Sequence, residues 1–227
     1  MFQKTHHRKR GLIIVLLILL FAGVGIFFAY KYNFIPHKKY TDKDFGITFH
    51  QSLSDKDGDG IDDYSDIITS AKEYVATCPK YKSKYYEGGY PNDEYGVCTD
   101  VVAFSLLYSG YDLQQLVDDD IRNNPDDYNI DAPDSNIDFR RVVNLRVYFS
   151  HTADSLTTNV EDYENWQAGD IVVWKHHVGI ISDHRNSDGI PFVLHNGSPE
   201  QASYEEDILA THGEVVGHFR LKDYQSA

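Results

Sequence analysis

The chain has 227 residues, room for one domain of ordinary size plus additions. All 35 of its carboxylates but only 17 of its 21 Lys and Arg follow Tyr30, so this part carries an excess of 18 negative charges. That excludes a nucleic-acid binder, which needs a basic face.

Lys4, Arg8, Lys9 and Arg10 precede an uncharged stretch, residues 11–30. A helix of that length spans ~30 Å, the hydrocarbon thickness of a bilayer. Basic residues ahead of it keep the N-terminus in the cytoplasm. The reading is a cytoplasmic basic tail (1–10), a single-pass cell-membrane anchor (11–30) and an extracytoplasmic remainder. A cleaved signal peptide is the alternative, but its apolar region is shorter and ends in small residues. Residues 31–54 read as a polar stalk.

Residues 55–66, DKDGDGIDDYSD, follow an oxygen-ligand schedule with carboxylates at positions 1, 3, 5, 9 and 12 and Gly at 6. It predicts a structural Ca²⁺ held by Asp55, Asp57, Asp59, the Ile61 carbonyl, Asp63 (directly or through water) and Asp66. Asp at position 12 and Asp62 at position 8 depart from the EF-hand pattern. The string is similar to the loops of thrombospondin type 3 repeats and dockerins.

Residues 67–227 read as the catalytic domain. Helices are predicted over 67–75, 98–108 and 112–123, the last with Asp112 as N-cap and Pro125 beyond its end. Residues 140–149, RRVVNLRVYF, read as a short helix or a strand. After the turn 167–169, strands are predicted over 170–174, 177–182, 191–195 and 215–221. The class is α+β, N-terminal helices packed on one face of an antiparallel sheet.

Two cysteines occur. Cys78 reads as an incidental, partly buried thiol, and Cys98 as free and functional although an exported domain permits their pairing. Cys98 sits where a loop becomes a helix, a place that lowers a thiol pKa and aims a backbone N–H at an incoming carbonyl. His177 opens one predicted strand and His195 ends the next, so His177 is the expected base and His195 its orienting partner. Asn196 is the other candidate for that orienting role, and Tyr95 a candidate oxyanion donor. Asp100 is expected to be structural or to face substrate. His176 falls on the solvent side of the turn, and zinc held by His176, His177 and His195 is a lesser alternative because neighbouring strand residues diverge.

The segments GVCTDVVAF, QAGDIVVWKHHVGIISD and FVLHN together resemble the NlpC-type, papain-like cell-wall peptidases. With NIDFRRVVNL over 136–145 they resemble more closely the bacterial domain of unknown function 1287. The resemblance covers residues 67–221. It implies Cys98 as nucleophile, His177 as base, His195 as third residue, and a peptidoglycan or peptide substrate cleaved at an amide bond without a catalytic cofactor. Arg140 and Arg141 then bind a substrate carboxylate or pair with Asp138 or Asp134. A non-catalytic binding module and a thioester-forming acyltransferase share the same pattern.

Overall fold

The computed structural model describes residues 3–223. Residues 1 and 2 of the expected basic tail and 224–227 of the expected catalytic domain lie outside the described residues, as do the side chains of residues 3–10, which carry the basic cluster. The first helix, α1 (Gln3–Lys31), contains the 21-residue stretch Gly11–Lys31 with mean hydropathy 3.1 and no burial. It is long and apolar enough to cross a membrane. Contacts divide the chain after His37, and the second unit begins at Lys38.

That unit comprises β1 (Tyr40–Thr41), α2 (Asp63–Ala76), β2 (Lys80–Tyr81), β3 (Tyr95–Gly96), α3 (Cys98–Tyr108), α4 (Leu113–Asn123), α5 (Val142–Thr152), β4 (Ala153–Ser155), β5 (Ile171–Trp174), β6 (Val178–Arg185), β7 (Pro191–Leu194), β8 (Glu205–Glu206) and β9 (Val215–Leu221), with short 3-10 turns between them. Seven strands form an antiparallel sheet of order β4-β9-β5-β6-β7-β8, with β1 added to β6. β2 and β3 make a separate parallel pair.

β5 and β7 read as continuous apolar runs because both of their faces are covered. Ile171, Val173, Val178, Ile180 and Leu194 join the helices in one core. Val172, Trp174, Ile181 and Val193 alternate to the other face, where Trp166, Ile208 and Leu209 cover them. Helices on one face were expected, but the second apolar layer was not. β6 and β7 also approach very closely at Gly179, where a Cβ would lie 2.4 Å from Val193 Cγ1. This approach needs glycine.

α3 begins at Cys98 and ends at Tyr108, followed by Gly110 at φ +82°, as the sequence predicts. It packs on α2 and on β6, which brings the two ends of the site together. Asp112 caps α4, its side chain accepting from Gln115 N–H. Residues 142–152 choose helix over strand, with Asn144, Leu145, Tyr148 and Phe149 as the buried stripe.

The expected stalk is corrected from residue 38 onward. Asp42 pairs with Arg185 Nε, Ile47 is buried, His50 N–H donates to Gln167 Oε1 at 3.1 Å, and Ser52 Oγ donates to Asp223 Oδ1 at 2.6 Å. Arg185, almost wholly buried, also donates to the carbonyls of Tyr163, Gly189 and Trp166. A buried guanidinium needs every one of these acceptors, so this segment belongs to the folded body.

Candidate active site

Cys98 is the first residue of α3, and Val97, in extended conformation, is the N-cap. The residue is half-buried, and its sulfur receives backbone N–H groups from Val178, Thr99 and Cys98 itself. Val178 is the first residue of β6, so the sulfur lies against the residue that follows His177. Among the described residues, no hydrogen bond joins Cys98 Sγ to the His177 ring.

His177 and His195 come together as expected, with His177 Nε2 3.0 Å from His195 Nδ1. His195 Nε2 lies 3.2 Å from Glu206 Oε2. Proton inventory assigns the tautomers along this chain. A Glu206 carboxylate accepts from His195 Nε2–H, which leaves His195 Nδ1 as an acceptor for His177 Nε2–H. His177 Nδ1 then carries the lone pair, the form a general base requires. Glu206 was missed because its strand has two residues and no periodicity. β8 places it opposite Val193. The His177 ring also packs against Trp174 and His212, with ring centroids 5.5 and 4.7 Å away.

The helix start was expected to lower the Cys98 pKa, but burial acts against it. Burial pushes the Cys98 thiol up to about 11, against the backbone donors that favour the anion. Burial, then His195 and His212, push His177 down to about 2. Thiol and imidazole are therefore both neutral at rest.

A pH dependence of folding follows. Below pH 6.5 the unfolded His177 binds a proton that the folded one refuses down to about 2, so its contribution to stability is lost as pH falls through that window. Above pH 9 the unfolded Cys98 releases a proton that the folded thiol keeps up to about 11, so stability is also lost as pH rises there. Urea midpoints across pH are expected to show both limbs. Cys98→Ala is expected to flatten the alkaline limb, and His177→Gln the acidic one.

The other candidates are placed differently. Asn196 donates from Nδ2 to the carbonyls of Pro79 and Gly96 at 2.8 and 3.1 Å, so it fastens the chain ahead of Cys98 rather than orienting His177. The Tyr95 ring lies under Lys82 and Lys84, with Nζ 4.9 and 5.0 Å from its centroid, and among the described residues no contact brings it to Cys98. Asp100 and Arg140 do not face substrate. Arg140 Nε and Nη2 donate to Asp100 Oδ1 and Oδ2 at 2.6 and 2.9 Å, and Val97 N–H donates to Asp100 Oδ2 at 2.8 Å. Arg140 also donates to the Lys84 carbonyl, so its partner is Asp100 rather than Asp138 or Asp134. Arg141 stays exposed, with Nε 3.5 Å from Asp138 Oδ1. His176 is exposed on the turn, and no metal-ligand grouping among the described residues includes it. Cys78 is free and exposed, not partly buried.

A cleft of about 920 Å³ opens beside His177. Gly197 shares its wall with His177, and Arg146, Lys175, His212 and Glu214 line it.

In the loop over 55–66, Asp55, Asp57 and Asp59 converge within 4.8 Å of one another. Asp62 caps α2, accepting from Ser65 N–H and Ser65 Oγ–H. Asp63, expected as a ligand, turns inward instead. One of its oxygens accepts from Lys56 N–H at 2.7 Å and the other from the Tyr111 hydroxyl. The Ile61 side chain is exposed, and its N–H donates to Asp59 Oδ1 at 2.8 Å.

Residues 68–221 match the family described as domain of unknown function DUF1287. A protein of Escherichia coli strain K12, "Uncharacterized protein YijF", is 41% identical over 152 residues, covering 63% of this chain and 72% of that protein. No solved structure matches.

Proposed function

We propose that this chain, which belongs to the DUF1287 family, is a membrane-anchored, extracytoplasmic cysteine hydrolase of papain-like architecture that cleaves an amide bond in cell-wall peptides. The observation that carries the reading is the polar chain Glu206–His195–His177, with a lone pair assigned to His177 Nδ1, in which His177 directly precedes the residue whose backbone N–H meets the Cys98 sulfur, Val178. The apolar stretch Gly11–Lys31 of α1 supports the anchor, and the basic residues ahead of that stretch support a cytoplasmic N-terminus.

In this mechanism His177 Nδ1 takes the thiol proton as Cys98 Sγ bonds to the amide carbon. The oxyanion rests on backbone N–H groups at the start of α3. His177 returns the proton to the leaving amine as the C–N bond breaks, and a thioester remains. Water then attacks, giving His177 a proton, and the acid departs as the thiol is restored.

One observation favours a second reading, a binding site without turnover. A thiol near 11 and an imidazole near 2 make proton transfer uphill in the resting site. Labelling of the two free thiols separates the readings. A small alkylating reagent is expected to modify exposed Cys78 first. A peptide bearing an electrophilic ketone at its cleavage position is expected to reverse that order and modify Cys98, detected by mass analysis of digests. Preference for Cys78 with both reagents would overturn the hydrolase reading.

A further inference from the structure

We propose that Asp55, Asp57, Asp59 and Asp66 hold one calcium ion where the loop over 55–62 meets α2. The loop lies outside the residues that match the family, so this site is separate from the hydrolase reading and stands without it.

Three of these side chains are exposed and bring a carboxylate oxygen each into one small volume. An acidic loop alone is only a solvated turn. Asp66 distinguishes this one. It sits in the first turns of α2, is only 8% exposed, and its Oδ2 is buried without a hydrogen-bond partner. A buried, unpaired carboxylate oxygen is costly. The charges that bear on Asp66 most are those of Asp59, Asp57 and Asp55, in that order, with no cation among them, and Asp66 itself stands outside the 4.8 Å grouping of those three. Among the described residues, none of the four forms a salt bridge. The nearby Lys56 ammonium lies over the Tyr111 ring instead, 5.9 Å from its centroid.

The loop is also held in place. Asp55 Oδ1 and Oδ2 accept the N–H groups of Gly58, Asp59 and Gly60, which wrap the backbone around that carboxylate. Gly110, just after α3, packs against Asp57, where a Cβ would lie 3.2 Å from the Asp57 backbone N. A divalent cation satisfies the orphaned oxygen and cancels the mutual repulsion of four acids at once. Calcium suits the set better than magnesium. It accepts six to eight oxygens in loose geometry, including a backbone carbonyl such as that of Ile61 and water, whereas magnesium demands a near-ideal octahedron. Extracellular calcium modules bind at ~10⁻⁴–10⁻³ M.

The test is thermal unfolding of the full chain in detergent micelles, followed by circular dichroism, with calcium chloride or with a chelator. At about 10 mM calcium the midpoint is expected to rise by ~3–10 °C. Asp59→Asn is expected to abolish that rise. In chelator the same variant is expected to unfold no earlier than wild type, because one like charge is gone. Asp66→Asn serves as the second variant and is expected to lose the rise as well. A wild-type midpoint that ignores calcium, or variants that gain as much as wild type, would overturn the site. A magnesium effect as large as that of calcium would overturn the assignment to calcium.

Discussion

Replacing Cys98 with Ala is expected to lower hydrolysis of a cell-wall peptide by ~10³-fold or more while changing unfolding stability by only about 1 kcal/mol. The sulfur is the atom that bonds to substrate, and nothing else at the start of α3 can replace it. The residue is small and half-buried, so its loss leaves little unfilled space. Release of new amine termini from peptidoglycan fragments, followed by mass analysis, reads the first quantity, and urea unfolding the second. His195→Ala is expected to retain more activity than Cys98→Ala, because it frees the His177 ring to adopt the wrong tautomer without deleting the base. Unchanged product formation by Cys98→Ala would end the hydrolase proposal.

The second large effect lies beneath the site. Asp100→Ala is expected to cost ~3–5 kcal/mol, because it strands the Arg140 guanidinium in a place where its side chain is 2% exposed. At ~2–4 °C per kcal/mol for a domain of this size, the unfolding midpoint falls by about 6–20 °C. The same carboxylate holds Val97 N–H, so the start of α3 loosens and activity falls with stability. Arg140→Lys is expected to rescue little, since an ammonium cannot match the paired bonds of a planar fork. Differential scanning calorimetry measures the shift. A loss within 1 kcal/mol in Asp100→Ala would show that the pair is not what holds the helix start.

The local elements were legible because local chemistry decides them. Asp112 caps a helix by its own side chain, Gly110 ends one, and the runs at 171–174 and 191–194 can only be buried strands. Residues 142–152 were ambiguous because Val142, Val143 and Val147 suit a strand locally, while burial of Leu145, Tyr148 and Phe149 along one stripe decides for helix. Several of the misreadings come from partners that no local pattern marks. Asp42 meets Arg185, Asp100 meets Arg140, and His195 meets Glu206. No periodicity announces such partners. For the same reason the anchored segment looked like a stalk, and Arg140 looked free to meet substrate. The His177–His195 pairing was readable because each residue sits at an element boundary whose position the pattern does fix.

The double grip of Asn196 has a dynamic consequence. Its amide spans the Pro79 and Gly96 carbonyls, and the Tyr204 hydroxyl reaches Pro79 as well. The segment that delivers the His195 imidazole is thereby latched to the chain that delivers the sulfur, so the two fluctuate as one unit rather than breathing apart. Amides flanking Cys98 and those flanking His195 should then exchange with solvent through a shared opening event, on a common timescale.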